Sequence, residues 1–301
     1  MCRPLATLIL AGLTIASVAD AQAPLHVSFG IYSFKRPVDV YKQFRPATDA
    51  LAEKLSIYLG KPATIDIIVT KTYEECLEDF VEGKIDIVRF GPASYVLAKQ
   101  SEPRIQILAA EREDARGAGL IVVRDDSPYR KLSDLVGKRF AFGDEQSTIG
   151  RYLSQAELAK AGITAKDLAA HSFLERHDIV FKVVELGDYD AGALHVGTFK
   201  DLNAKASDKL RVLHSFDNVA KPWLARAELE PHLVDALRKA LLAVDDAKAL
   251  KALKVPGFEL ASDSDYDLVR EGMKLSEQFK PTVKAEPAPQ PEPSPAPGKG
   301  R

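Results

Sequence analysis

Two hydrophobic rhythms alternate along this chain. Short apolar, β-branched runs bounded by polar turns predict strands over His26–Tyr32, Thr64–Val69, Ile85–Val88, Ile105–Ala109, Ala118–Val123, Phe140–Phe142, Tyr189–His195 and Leu210–Ser215. Between them, apolar positions three and four apart predict helices. The first opens at Arg45–Pro46 and carries Leu51, Leu55 and Leu59, with Gly60 placed to end it. Others are predicted over Tyr73–Val81, Ala93–Lys99, Tyr129–Leu135, Glu228–Ala243 and Asp265–Phe279. Val180–Leu186 is apolar and short. Strands alternating with helices at this spacing imply an α/β fold with mostly parallel sheets flanked by helices. The elements fall into two groups, residues 24–115 and 116–213, and helical material over 214–280 is assigned back to the first. Such a chain forms two lobes joined by two crossovers, a hinge arrangement that places ligands between the lobes.

One stretch concentrates candidate chemistry. Lys138–Ile163 reads as strand, polar turn and helix, with Ser147 and Thr148 where a helix N-cap belongs and Gly162 at the end. The first N–H groups of a helix lack intrahelical acceptors, and the aligned peptide dipoles add positive potential there. An oxyanion can bind at such a point. The alternative is a plain cap, a common role for Ser and Thr.

The chain has 301 residues, 46% of them hydrophobic and 28% charged, the balance of a globular protein of about two domains. A net charge of -2 gives no general attraction to nucleic acid. Arg3, the apolar run Leu5–Val18 and the small-x-small site Ala19-Asp20-Ala21 read as a secretory signal cleaved after Ala21; an uncleaved anchor is the alternative. Export to the periplasm follows from the first reading. Beyond it, Cys76 is the one cysteine left, in a helical pattern that suits a small buried hydrophobe. Residues 284–301, rich in proline, cannot build a core and form an extended, disordered tail.

Several ordered pieces together resemble a known family. They are Val27–Tyr32, the segment TYEECLEDFVEGKID from Thr72 to Asp86, Phe90-Gly91-Pro92-Ala93-Ser94-Tyr95, Phe142-Gly143-Asp144 with Ser147, Thr148 and Gly150, His177-Asp178, and Gly187–Ala193. This set resembles the phosphate-, phosphite- and phosphonate-binding periplasmic proteins of ABC importers. The resemblance implies a two-lobed, type II solute-binding fold that closes over a small anionic ligand. It implies a permease in the inner membrane as partner, and a monomeric protein without cofactor. Residue by residue it points to Tyr32 and Tyr95 in the first lobe, Ser147 and Thr148 at the helix start, and His177 and Asp190 completing the cleft. Ile149 departs from the Ser-Thr-Ser-Gly pattern common in phosphonate binders, replacing a hydroxyl donor worth about 1.5–3 kcal/mol toward a buried anion. A different organic solute is therefore an alternative. Lys35 and Arg36 follow the first strand and add positive charge near the cleft.

Other readings stand beside these. Tyr32 and Tyr95 fit core or rim positions equally well. His177 fits an exposed or capping role, and Asp190 a solvated one. A sensor handing its closed state to a sensor kinase is the second functional class. Catalysis has little support: there is no G-x-S-x-G, H-E-x-x-H or P-loop sequence, and His171 and His177 are poorly spaced for a metal.

Overall fold

Alternation along the strands decides which faces are covered. In the computed structural model, which describes residues 23–112, 119–206 and 209–279, β1 (Leu25–Tyr32) pairs in parallel with both β2 (Ala63–Thr70) and β3 (Ile87–Arg89). Val27, Phe29 and Ile31 of β1 point to one face and are buried there. They meet Leu51 and Leu55 of α1 (Pro37–Leu59) and Leu233, Leu237 and Leu241 of α7 (Pro231–Leu242). The other face is covered by α2 (Tyr73–Val81), α3 (Pro92–Ser101) and α9 (Asp267–Ser276), through Phe80, Val96 and Val269 among others. Cys76 is fully buried in this layer, and burial pushes its thiol up to about 12, so it is an inert core residue.

The first sheet has the order β11-β4-β10-β3-β1-β2, adding β4 (Gln106–Glu111), β10 (Pro222–Ala225) and β11 (Phe258–Glu259). The second has the order β7-β6-β8-β5-β9, from β5 (Gly119–Arg124), β6 (Arg139–Phe142), β7 (Ala170–Phe173), β8 (Ala191–His195) and β9 (Leu210–Phe216). Strands β1 to β4 run one way, and β10 and β11 oppose them. In the second sheet only β5 opposes the rest among the described strands. Both sheets are therefore mixed rather than mostly parallel in their pairing: the first strand of the second sheet and the returning strand of the first are inserted antiparallel. Helix α4 (Ser154–Lys160) covers one face of the second sheet, and α5 (His177–Leu186) and α6 (Val196–Asn203) cover the other.

Some boundaries differ from expectation. Helix α1 begins at Pro37, well before Arg45, and runs through Pro46. A continuous buried stripe of Val40, Phe44, Ala47, Leu51 and Leu55 outweighs the roughly 3 kcal/mol cost of an internal proline. Strand β9 continues to Phe216, past the lobe boundary expected at 213. The 129–135 helix shrinks to a 3-10 turn over Leu132–Leu135. The signal segment, the Pro-rich tail and residues 113–118 of the outward crossover lie outside the described residues. No helix among the described residues is long and apolar enough to cross a membrane.

One buried polar group fixes the returning strand. Arg89 of β3 reaches across β10 to Glu111 of β4, with Nε–Oε1 2.5 Å and Nη2–Oε2 2.8 Å. Trp223 of β10 donates Nε1–H to the same carboxylate at 3.2 Å. Although burial alone would raise it, the Arg89 guanidinium holds the Glu111 carboxyl below its ordinary value. Removing one partner strips the other of a bidentate, charge-assisted contact in a buried setting. Glu111→Ala is expected to lower unfolding free energy by about 3–5 kcal/mol in urea denaturation, whereas an unchanged midpoint would show that β10 is held by backbone pairing and packing alone.

Candidate functional site: a cleft ringed by helix starts

Parallel strands in both sheets deliver their C-terminal ends, and the helices that follow, to one space. It is a chamber of about 260 Å³. Each helix start contributes: Gly91 and Pro92 of α3, Ser147, Thr148 and Ile149 of the helical run leading into α4, His177 of α5, and His195 and Thr198 of α6. Tyr32 closes the end of β1, Tyr73 begins α2, and Asn218 and Lys221 come from the crossover between β9 and β10. Among the described residues this lining holds no carboxylate, and Lys221 is its one Lys or Arg. First-turn N–H groups and aligned peptide dipoles make each helix start electropositive. Their convergence suits an anion.

The helix start at Ser147 is built from both a cap and a close backbone approach. Ser147 Oγ accepts from Gly150 N–H at 3.0 Å, so the capping role holds. The next six residues, Thr148–Leu153, form a π-helical turn before α4. Gly143 N–H donates to Gly150 O at 2.8 Å, and a Cβ on Gly150 would lie 2.8 Å from Gly143 Cα and 2.9 Å from Ser147 Oγ. Only glycine fits there. Thr148 does something else: its Oγ1 accepts from Ala93 N–H at 2.9 Å, a buried bond joining the two helix starts from opposite sheets. Tyr152, one turn further, packs into the apolar layer of the first sheet.

Ile149 is buried and packs with the Ile121, Phe140 and Leu158 cluster of the second sheet. Replacing a hydroxyl residue here removes a side-chain donor but leaves the backbone N–H of the first turn in place.

The aromatic wall is a pair. Tyr32 and Tyr73 stack with ring centroids 3.9 Å apart, and Tyr32 Oη accepts from Gly91 N–H at 3.0 Å. Burial raises both phenols, Tyr73 well above its usual range, so both remain protonated donors. His177 and His195 are both held neutral. Burial pulls each down to about 4, and the Lys221 charge pushes the same way. His195 Nδ1 accepts from Gly197 N–H at 2.9 Å, which places the ring proton on Nε2. His177 Nδ1 and Asn218 Oδ1 are buried polar atoms without a hydrogen-bond partner in the protein.

Four of the six residues expected at the site meet here: Tyr32, Ser147, Thr148 and His177. Two do not. Tyr95 is fully buried on α3, packs on Tyr266 and donates its hydroxyl to Asp263 at 2.5 Å, bracing the 3-10 turn ahead of α9 rather than walling the cleft. Asp190 precedes β8, at the opposite end of the strand from the chamber. It accepts from Arg139 N–H at 2.8 Å and Tyr129 Oη at 3.2 Å. Arg36 pairs with Asp39 on the exposed start of α1, and only Lys35 lines the cleft mouth. Tyr73, His195, Asn218 and Lys221 were not anticipated. The rule that ligands gather at the carboxyl ends of parallel strands would have pointed to His195. No group of His, Cys, Asp and Glu among the described residues is arranged to hold a metal ion.

Comparison with known proteins agrees with this geometry. The chain is 26% identical to a probable ABC transporter phosphite-binding protein, PhnD1, of Prochlorococcus marinus, over 65% of this chain and 72% of the relative. It is also 26% identical to a phosphate-import protein, PhnD, of Mycolicibacterium smegmatis, over 78% and 82%. The solved structure of Prochlorococcus marinus PhnD1 in complex with methylphosphonate superposes with a TM-score of 0.71 at 23% identity, covering 84% of this chain and 98% of that one. The aliphatic sulphonate-binding protein SsuA of Escherichia coli shares the fold at a TM-score of 0.57 and 17% identity, covering 84% and 92%. These likenesses identify the architecture as the two-lobed, type II periplasmic-binding fold. The model of the phosphonate ABC-transporter periplasmic substrate-binding family matches residues 29–266, and the chain belongs to that family.

Proposed function

We propose that the chamber captures a tetrahedral oxyanion of phosphorus and that the two lobes, the second carried to Phe216 by β9, close over it. The observation that carries this reading is the ring of helix starts around Lys221. An anion placed there meets first-turn N–H groups, the phenols of Tyr32 and Tyr73, and the Nε2–H of His195. His177 and Asn218 line the same space. The family is the substrate-binding component of an ABC importer, not an enzyme. Its mechanism is capture: contacts from both lobes stabilise one lobe arrangement, which a permease recognises. We also infer a monomer exported by a signal cleaved after Ala21, a reading supported by the Ala19-Asp20-Ala21 pattern.

Titration calorimetry of residues 22–283, refolded to strip carried-over ligand, tests the site with phosphate, phosphite, methylphosphonate and sulfate. Micromolar or tighter binding of a phosphorus oxyanion is expected. Lys221→Met should weaken it by about ten- to a hundred-fold, the loss of one charge-assisted contact. Ser147→Ala should weaken it less, by loosening the helix start. An absence of heat with every anion would refute the reading.

A second test uses pH. Both histidines titrate near 4 in the folded protein and near 6.5 unfolded. Between those values the unfolded chain binds more protons, so their contribution is fully present above about pH 6.5 and is lost as pH falls toward 4. Ligand-free protein should lose melting temperature across this window. The double variant His177→Gln/His195→Gln should show a flatter profile, and an identical slope in both proteins would contradict neutral, buried imidazoles.

A further inference from the structure

Outside the oxyanion chamber lies a second one of about 390 Å³. The two share Tyr32, Tyr73, His177 and Thr198, so a single ligand can occupy both. The outer chamber adds Phe34 and Lys35 from the loop after β1, and Glu175, Arg176 and Asp178 around the start of α5. A bare tetrahedral oxyanion takes up roughly two to three times the ~30 Å³ share of a water molecule. It fills a minor part of the inner chamber and none of the outer.

The walls differ in chemistry. The inner one offers hydroxyls, imidazoles, an amide and an ammonium. A ligand ammonium beside the oxyanion would face Lys221 and the positive helix starts, with no carboxylate among the described lining residues to receive it. The outer one is an aromatic corner. Phe34 and Tyr73 stand with ring centroids 6.4 Å apart at 45°, and Phe34 remains 37% exposed, a large apolar ring held at the mouth. Charges in that corner are mostly spoken for: Arg176 pairs with Asp178, and Lys35 Nζ donates to Gln43 Oε1 at 3.2 Å. Glu175 is the remaining carboxylate, on the exposed side of the loop.

We propose that the ligand is a phosphorus oxyanion carrying a flat, uncharged substituent, with its head in the inner chamber and its substituent packed against the corner that Phe34 and Tyr73 form. This deepens the oxyanion reading above and rests on it. A ring stacked in that corner adds aromatic contact and apolar burial to the anion's own contacts. Phosphonate and phosphomonoester heads share the chemistry, so both are tested.

The experiment is calorimetric titration of wild-type protein with methylphosphonate, 2-aminoethylphosphonate, phenylphosphonate and phenyl phosphate. The phenyl ligands are expected to bind about ten-fold or more tighter than methylphosphonate, and 2-aminoethylphosphonate no tighter than methylphosphonate. Phe34→Ala should bring the phenyl-to-methyl ratio toward one, and Phe34→Trp should preserve it. Preference for only one phenyl ligand would assign the head as phosphonate or ester. Equal or weaker binding of both phenyl ligands, or a ratio that survives Phe34→Ala, would overturn the outer-chamber assignment while leaving the oxyanion site standing. Binding of none of the four would bring down the oxyanion reading itself.

Discussion

The cleft depends on one constraint of helical backbone: the first turn of a helix presents N–H groups that have no acceptor within it. Most proteins spread such ends over their surface, where water satisfies them. Here helix starts from both sheets are collected in one partly enclosed space, with Lys221 among them. Some donors find partners inside the protein. Gly91 N–H goes to Tyr32, Ala93 N–H to Thr148 and Gly150 N–H to Ser147. Those bonds use up part of the supply and fix the geometry of the remainder. The Ala93–Thr148 bond matters most for the assembly, because its donor belongs to the first sheet's side and its acceptor to the second's. It is short, buried and neutral, a contact that opening of the lobes would break and water would replace at modest cost.

Strand direction explains why the helix starts meet. A parallel strand followed by a helix places the helix start at the strand's carboxyl end, and strands β1, β3, β6 and β8 all end at the chamber. That much was legible in the chain. The rhythm of apolar runs identified these strands, the Ser147 cap and the Tyr73–Val81 helix, because each rests on local signals: β-branched runs, cap residues and glycine stops. The antiparallel insertion of β5 and β10 was not legible. Pairing across about 70 residues or more is decided by sheet-level packing and, for β10, by groups such as Arg89, Glu111 and Trp223, which no local pattern brings together.

The same distinction sorts the site residues. Ser147 and Thr148 line the chamber, and a cap is a local signal. Tyr32 lines it too, and it ends a strand. Tyr95 lies elsewhere for a geometric reason: one turn inside α3, helical rotation carries its side chain toward Tyr266 and Asp263. Asp190 sits at the amino end of β8, five residues before His195 at the carboxyl end. Asn218 and Lys221 offered no signal at all. They lie in an irregular crossover whose path follows from where β9 stops and β10 begins.

That crossover has a mechanical consequence. A segment linking two lobes must change its backbone angles when the lobes move. If the same segment also carries Lys221 and Asn218 into the chamber, an anion held by them restrains the linker as well as the walls. The site then senses lobe arrangement through the linker's own side chains, in addition to the helix starts facing each other across the cleft. Dipoles and a single ammonium grip an anion without the deep desolvation of a closed ion-pair cage. Such a grip is strong when the lobes enclose it and weak once water enters between them. A protein that must hold its ligand in one compartment and surrender it to a permease needs both properties. On the proposed function, both come from building the site out of backbone ends and one linker lysine rather than from a ring of arginines.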